Sequence, residues 1–200
     1  MERSPTCEAT YQVILDGADR ILARYGFRKM SMEDLAKEVR ISRRTLYLHF
    51  KNKEDVGLSS IERTVSRVHD QLCAIANEDS AVTERLRKIL RTRVMARIEA
   101  TKPFHEGLDQ LFEVVRPGYL ARRQKMFERE SEILAAVIEE GMRGGLFRSG
   151  SPLEAAEACL LATNAFLPYG LSVAELGRPD DIERRLHSMI ELLIGGLTHP

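Results

Sequence analysis

The segment SMEDLAKEVRISRRTLYLHF, residues 31–50, carries the pattern that decides the fold of the N-terminal part of this chain. Ser31 precedes one short run with apolar residues at helical spacing, and Ser42 precedes a second. A serine in this position caps a helix, because its hydroxyl accepts a hydrogen bond from a backbone N–H of the first turn, and Asp34 completes a capping box after Ser31. The segment therefore predicts two short helices joined by a turn of three or four residues, which is the layout of a helix-turn-helix.

The second of these helices has two different faces. At about 100° per residue, Leu46 and Phe50 fall on one face, and Arg44, Thr45 and Leu48 fall on the opposite one. The first face predicts burial, and the second presents hydrogen-bond donors outward. Leu48 is the exception on that outer face, and two interpretations of it stay open. In the first, the side chain is covered by a groove of DNA, which offers sugar edges and thymine methyl groups. In the second, Leu48 is an ordinary exposed leucine.

Positive charge is concentrated in this part of a chain that is neutral as a whole, with 30 Lys or Arg and 30 Asp or Glu. Between Glu38 and Glu54 there is no acidic residue, whereas five residues are Lys or Arg. Residues 1–53 hold 11 Lys or Arg against 7 Asp or Glu, a net charge of +4, and residues 54–200 hold 19 against 23, a net charge of −4. This asymmetry favours a basic head that binds a polyanion. Chance, together with solvated helix faces, is the alternative.

The composition indicates an all-α protein. Leu, Ala, Glu and Arg dominate, runs of Val, Ile and Thr are rare, and hydrophobic residues make up 44% of the chain. No apolar run approaches the ~20 residues of a membrane-spanning helix, and the N-terminus lacks the apolar core of a signal peptide. The three cysteines are far apart and form no C-x-x-C pair. We therefore expect a cytoplasmic protein with no membrane partner and no structural zinc.

Residues 8–60 resemble the DNA-binding segment of the TetR (tetracycline-repressor) family of bacterial transcription regulators. Spacing, caps and aromatic positions agree together, which makes the resemblance more specific than a lone helix-turn-helix pattern. The residues that carry it are, in order, Gly26, Phe27, Ser31, Asp34, Leu35, Ala36, Ile41, Ser42, Thr45, Leu46, Tyr47, His49, Phe50, Lys53 and Glu54. Beyond residue 60 only the chain length and the helical layout fit the family.

The resemblance implies both an architecture and a function. It implies an all-α chain of about nine helices, with a three-helix DNA-binding head at residues 1–53, a helix-turn-helix at about 31–50, and a helical effector-binding and dimerisation body at 54–200. It also implies a homodimeric transcriptional regulator of the bacterial cytoplasm, associated with the nucleoid when it is bound to DNA. Such a protein binds an inverted-repeat operator of double-stranded DNA and is released by a small-molecule effector. Repression is the expected sign, because a protein bound over a promoter excludes polymerase, and activation stays open.

The same resemblance implies the residues that contact DNA, and their chemistry suits the task. The guanidinium groups of Arg43 and Arg44 can bind guanine O6 and N7 in the major groove. Lys53 is expected in the first turn of the following helix, where a phosphate is favoured. Tyr47 offers a ring and a hydroxyl to a base edge or a phosphate, and packing beneath the helix is the alternative. The full set is Ser31, Ser42, Arg43, Arg44, Thr45, Tyr47, Leu48, His49 and Lys53.

Two positions depart from the family pattern. The family often has Gly where Arg40 stands, in the turn between the two short helices. A left-handed conformation at that position costs a non-glycine residue ~1 kcal/mol, so we expect a local adjustment of the turn. The family also often has a small residue where Arg44 stands. Because this position faces outward, the arginine adds a candidate base contact.

The rest of the chain predicts helices that run from Asn52 to about Asn77 and near 81–101, 104–115, 118–143, 152–170 and 180–197. Apolar and aromatic residues of the middle helices, with two polar side chains, are the candidate lining of a ligand pocket: Met95, Phe104, His105, Leu108, Phe112, Tyr119, Met126, Asn164 and Phe166. Residues of the last two helices are the candidate dimer interface: Ala158, Ala162, Leu186, Ile190 and Leu193. For both sets the subunit's own core is the alternative.

Two other classes of function compete with a DNA-binding regulator as interpretations of this sequence. A helical-bundle enzyme with a di-iron site needs Glu-x-x-His motifs, and the sequence has none. The H-E-x-x-H, phosphate-loop and G-x-S-x-G motifs are absent too, so we predict no catalytic residue, no metal site and no cofactor. A protein-interaction module that does not bind DNA would be favoured by an apolar or acidic outer face at residues 43–49, and that face is basic.

Overall fold

The computed structural model describes residues 5–101, 105–167 and 177–198 of the 200-residue chain. At residues 101, 105–110, 112, 116–117 and 119–122 it describes the backbone alone. The described residues form eight α-helices and one short 3-10 helix at Asn164–Phe166. The helices are α1 (Pro5–Lys29), α2 (Met32–Glu38), α3 (Arg43–His49), α4 (Lys53–Ala76), α5 (Val82–Thr101), α6 (His105–Arg143), α7 (Pro152–Thr163) and α8 (Pro179–Leu197).

Two of the predicted helix boundaries are wrong. The helices predicted at 104–115 and 118–143 are one helix, α6, which continues through Pro117. A proline removes one backbone donor from a helix, and here that loss does not end the element. The helix predicted at 152–170 stops at Thr163, tightens into the 3-10 turn, and leaves Leu167 extended with φ −94° and ψ 142°. Leu167 precedes a proline in the sequence, which disfavours the helical conformation at that residue.

The predicted serine caps are confirmed by hydrogen bonds. The Ser31 hydroxyl accepts from the backbone N–H of Asp34 at 3.1 Å, and the Ser42 hydroxyl accepts from that of Thr45 at 3.0 Å. Asn52 caps α4 in the same way, because its Oδ1 accepts from the N–H of Asp55 at 2.8 Å. These caps fix the starting points of α2, α3 and α4, so the helix boundaries of the N-terminal region follow from local sequence.

The turn between α2 and α3 keeps the left-handed geometry, and the expected local adjustment is wrong. Arg40 has φ 55°. Its N–H donates to the carbonyl of Lys37 at 3.2 Å, and the N–H of Ile41 donates to that of Ala36 at 3.0 Å. These two bonds form the Schellman pattern that ends a helix with a left-handed residue, most often glycine. Arg40 therefore carries a backbone strain that glycine would not.

The chain divides into two compact units, each described here by itself. The head unit comprises residues 1–64 and 101–121, and the body unit comprises residues 65–100 and 122–200. Both α4 and α6 therefore contribute residues to each unit. The domain boundary predicted at residue 53 separates a DNA-binding region from an effector-binding and dimerisation region. This assignment of functions to the two regions stays a prediction.

Within the head unit, a cluster of ionic hydrogen bonds joins α4 to α1. The Arg63 guanidinium is buried and donates to Asp16 Oδ1 at 2.7 Å and to Asp19 Oδ2 at 2.5 Å. Ser60 donates to the other oxygen of Asp19. Helix α1 also packs closely against the residue that follows α2, because a Cβ built at Gly17 would lie 2.2 Å from Cγ1 of Val39. Side chains of α1 are thus held on both sides, by polar contacts and by close packing.

Within the body unit, a buried ionic cluster crosses the apolar core. Glu130 of α6 accepts from Arg93 Nε at 2.8 Å and from Arg97 Nη2, and all three side chains are less than 5% exposed. Burial acts to raise the pKa of Glu130, but the charges of Arg97 and Arg93 and their hydrogen bonds outweigh it, so the pKa lies below its usual value. The ionised carboxylate therefore stabilises the fold at neutral pH, and this contribution is lost as the pH falls through the lowered pKa.

Among the described residues, no helix is long and apolar enough to cross a membrane. No group of three or more His, Cys, Asp or Glu side chains among them is arranged to hold a metal ion.

Candidate nucleic-acid interface

The orientation of α3 is set by two buried side chains. Leu46 is fully buried, and Phe50, which ends the helix, is 1% exposed. The Phe50 ring stacks on that of Tyr11 from α1, with centroids 4.8 Å apart and an interplanar angle of 18°. With these residues packed inward, the helical repeat turns residues 43, 44, 47 and 48 outward.

The outer face of α3 exposes four of the predicted DNA-contacting residues. Arg43, Arg44, Tyr47 and Leu48 are exposed, with 47% of the Tyr47 surface and 78% of the Leu48 surface open to solvent. The alternative placement of Tyr47 beneath the helix is therefore wrong. In the part of the chain that the structure describes, the Arg44 side chain has no ion pair or hydrogen bond, so its donors face solvent.

Arg43 has an acidic neighbour that sequence reasoning missed. Its Nη1 lies 3.9 Å from Oε2 of Glu33, which stands in the first turn of α2. The pKa of Glu33 is lowered, mainly by a hydrogen bond and charge attraction from Lys37 and also by the charge of Arg43. The pairing of Glu33 with Lys37 is an i,i+4 spacing that the sequence shows. Its proximity to Arg43 depends on how α2 and α3 pack, so no local signal gives it.

Four other predicted contacts carry polar groups that already have protein partners. The hydroxyls of Ser31 and Ser42 cap α2 and α3, and the Ser42 and Thr45 hydroxyls lie 2.8 Å apart. His49 is half-buried, with its Nδ1 3.9 Å from the sulfur of Cys7 in α1. These side chains hold the helix-turn-helix in shape, and their contacts with DNA stay predictions.

Lys53 is directed at the end of α1. Its Nζ lies 3.3, 3.4 and 3.3 Å from the carbonyl oxygens of Phe27, Arg28 and Met30. The same ammonium lies 4.8 Å from the centroid of the Phe27 ring. Gly26 interrupts the helical backbone of α1 with φ 73° and ψ 169°, so these three carbonyls belong to the segment that follows the break. The geometry gives Lys53 a role in fixing that segment, and the predicted phosphate contact stays a prediction.

The residues predicted to line a ligand pocket are only partly described. Phe104 lies outside the described residues, and so do the side chains of His105, Leu108, Phe112 and Tyr119. Met95 and Phe166 are half-buried against the body core, and Met126 is half-buried. The Asn164 side-chain oxygen accepts from Arg93 Nη2 at 2.8 Å, which joins it to the buried ionic cluster.

A groove in the described body unit lies elsewhere. It has a volume of about 380 Å³ and is lined by Arg87, Arg91, Asp180, Glu183, Arg184, Leu186, His187 and Ile190 of α5 and α8. The rim charges are paired, since Arg91 binds Glu183 and Arg87 binds Glu191. None of the predicted pocket residues that the structure describes lines this groove.

The predicted dimer-interface residues divide into two groups. Leu186 and Ile190 are each 1% exposed and belong to the core of the body unit, so their side chains point inward. Ala158 is exposed, and Ala162 and Leu193 are half-buried. The sequence prediction passed over Leu161 of α7 and Leu192 of α8, which are 62% and 74% exposed. Their positions in the helical repeat relative to the buried leucines could have identified them.

Comparisons with known proteins agree with the position of this site. Residues 14–57 match the family model described as bacterial regulatory proteins of the tetR family. Over 200 aligned residues, covering 94% of this chain and 95% of the relative, the chain is 21% identical to the fatty acid metabolism regulator protein of Bacillus subtilis strain 168.

Solved structures share the fold. A transcriptional regulator from Cytophaga hutchinsonii matches with a TM-score of 0.76 at 18% identity, covering 94% of this chain and 98% of that one. A fatty acid degradation regulator from Bacillus halodurans matches with a TM-score of 0.70 at 20% identity over 100% of both chains. The predicted all-α architecture is confirmed by these matches together with the helices described above.

The position of the Lys53 ammonium generates a prediction about stability. Lys53→Met removes hydrogen bonds from a charged donor to the carbonyls of Phe27, Arg28 and Met30, so we expect the free energy of unfolding to fall by about 1.5–3 kcal/mol. Lys51→Met, at an exposed neighbouring position, is the matched control and should change it by less than about 0.5 kcal/mol. Urea unfolding measures both. Unchanged stability of Lys53→Met, with a weaker salt dependence of DNA binding, would instead assign the ammonium to a phosphate.

Proposed function

Since the chain belongs to the tetR family of bacterial regulatory proteins, we propose that its head binds an inverted-repeat operator and that a small-molecule effector releases it. As a member of that family the protein is a DNA-binding transcriptional regulator. We propose repression as its sign, the bacterial cytoplasm as its place of action, and no enzymatic activity. The residues assigned to each task below belong to the same proposal.

The observation that carries the DNA-binding assignment is the chemistry of the outer face of α3. Arg43, Arg44 and Tyr47 project from an α-helix, which the major groove of B-DNA is wide enough to admit. No acidic residue occurs between Glu38 and Glu54. Arginine binds guanine O6 and N7 bidentately, which makes it the commonest base-specific contact. The basic character of this face also argues against a protein-interaction module that lacks DNA binding.

Arg44 is the strongest candidate for a base contact. It is exposed, it lies on the same side of α3 as Leu48, and the described structure assigns its guanidinium no acidic partner. Arg43 begins the helix and lies beside Glu33, whose carboxylate partly neutralises the charge of the guanidinium. Arg44 therefore has the full hydrogen-bonding capacity of its guanidinium available for a base edge.

The surface that the packed helices α7 and α8 leave uncovered supports a homodimer formed through these two helices. Leu161 and Leu192 are mostly exposed, although large apolar side chains are usually buried. Small residues on the same helices leave room for a partner: Ala158 is exposed, and a Cβ built at Gly195 would meet no atom within 4 Å. A two-fold dimer pairs such a surface with itself and matches an inverted repeat in the DNA.

Release from DNA requires a ligand that distinguishes two conformers. An effector weakens operator binding only if it prefers a conformer whose two heads do not match the spacing of the half-sites. Of the two polar side chains in the predicted pocket lining, the structure describes that of Asn164, which accepts a hydrogen bond from the buried Arg93. Because the Bacillus subtilis relative is named for fatty acid metabolism, we propose fatty acids as the first class of candidate effector.

Arg44→Ala tests the base contact. The operator is first obtained by selection of bound sequences from a random duplex library. We expect Arg44→Ala to cost ~1–3 kcal/mol on that operator and to relax base preference at one or two positions of each half-site, because a bidentate contact is lost. Arg67→Ala, at an exposed position of α4 outside the acid-free segment, is the control. An equal loss on operator and scrambled duplexes would show that Arg44 contacts only phosphate.

Charge placed on the exposed leucines tests the dimer. Leu161→Glu and Leu192→Glu should each give a monomer in light scattering and a much weaker operator complex, because the interface would bury an unpaired carboxylate. Leu146→Glu is the control, since Leu146 is also exposed but follows α6 and lies outside α7 and α8. A stable dimer in both interface variants would place the contact on another surface.

A ligand screen tests release by an effector. An effector that binds the folded protein raises its melting temperature by mass action. Coupling of ~1–3 kcal/mol should also weaken operator binding about 5- to 150-fold. Thermal unfolding and fluorescence anisotropy on the selected operator measure the two effects with fatty acids of increasing chain length. Ligands that stabilise the protein but leave its DNA affinity unchanged would argue for a regulator without effector control.

A further inference from the structure

Leu48 has the largest exposed fraction of any large apolar side chain in the described part of the chain, at 78%. It stands near the C-terminal end of α3, the second helix of the helix-turn-helix. Isolated exposed leucines are common on protein surfaces, so exposure alone assigns nothing. The position of this leucine within a binding face gives its exposure a meaning.

The fold keeps Leu48 directed outward. Leu46 and Phe50, two residues before and after it, are both buried, and two residues correspond to about 200° around a helix. Stacking of Phe50 on Tyr11 prevents the short helix from rotating to cover the leucine. The side chain therefore stays uncovered unless a partner of α3 covers it.

The partner of this face is DNA, on the proposed function. Arg44 lies four residues earlier, on the same side of the helix, and Tyr47 lies next to Leu48 with its own ring exposed. The surface around the leucine is thus continuous with the arginine that we place in the major groove. In that groove the C5-methyl group of thymine is the one apolar feature on the base edges.

We propose that Leu48 determines specificity for thymine by packing on its C5-methyl group. This inference rests on the proposed function, because it requires that α3 enters the major groove of an operator. It adds an apolar contact to the polar one made by Arg44, so each half-site should contain a thymine near the base pair that Arg44 contacts. A leucine in contact with deoxyribose instead would add affinity without selecting a base.

Deoxyuridine separates these two contacts, because it lacks the C5-methyl group and keeps the hydrogen-bonding groups of thymine. Each thymine of the selected operator is replaced in turn, at the same position of both half-sites, and affinity is measured by fluorescence anisotropy. For the native protein we expect one position, or two neighbouring positions, where the replacement weakens binding about four-fold per half-site, the effect of one buried methyl group. Other positions should show little change.

The same duplexes are then tested with Leu48→Ala. Alanine favours the helix, and position 48 is exposed, so the variant should keep the native melting temperature. We expect Leu48→Ala to bind the thymine operator more weakly than the native protein does. The variant should bind the operator with deoxyuridine at the sensitive position nearly as tightly as it binds the thymine operator. Leu146→Ala, which removes an exposed leucine outside α3, should keep the native difference between the two duplexes.

Two outcomes overturn the inference and leave the proposed function standing. Weaker binding by Leu48→Ala without any deoxyuridine effect in the native protein would place the leucine against sugar. A deoxyuridine effect that persists undiminished in Leu48→Ala would assign the methyl group to another residue. Failure to select any sequence from the duplex library would overturn the proposed function itself, so the two failures are distinguishable.

Discussion

The packing of Leu46 and Phe50 is the constraint on which the binding face of this protein depends. A helix of seven residues has no stability of its own in water, because the cost of nucleation exceeds the gain from a few hydrogen bonds. These two side chains attach α3 to the head unit, and the stacking of Phe50 on Tyr11 fixes its rotation. Rotation in turn decides which side chains face outward, so an apolar contact inside the head determines which residues are available to DNA.

Not every cation of the head is available to a polyanion. The ammonium of Lys53 is directed at the backbone carbonyl oxygens of Phe27, Arg28 and Met30. Arg43 has Glu33 beside it. The net positive charge of residues 1–53 therefore overstates the number of phosphate contacts, because part of that charge holds α1 and the recognition region together. Other cations of this segment, such as Arg44 and Lys51, are exposed to solvent.

The body unit differs from the head in that it buries charged side chains inside an apolar core. Isolated ions are costly to bury, and Glu130 is tolerated because Arg93 and Arg97 supply both charge and hydrogen bonds. Arg93 also donates to Thr163 and Asn164 at the end of α7, so one guanidinium joins α5, α6 and α7. A ligand that disturbed Asn164 would act on that junction, which connects the proposed effector site with the packing of the helices.

The sequence by itself determined those features that depend on residues close together in the chain. The caps at Ser31, Ser42 and Asn52, the helix-turn-helix and the outward face of α3 depend on neighbours within about one helical turn, so spacing and residue type were sufficient to predict them. The class of fold followed from composition and periodicity for the same reason. Family resemblance added the candidate function of the head.

Only the tertiary structure decided the contacts between distant parts of the chain. It turned Lys53 toward carbonyls 23 to 26 residues away, buried Leu186 and Ile190 in the body core, and left Leu161 and Leu192 exposed instead. The physical reason is common to all of these. A residue's type limits what it can bind, but which partner it meets depends on packing that no local pattern records.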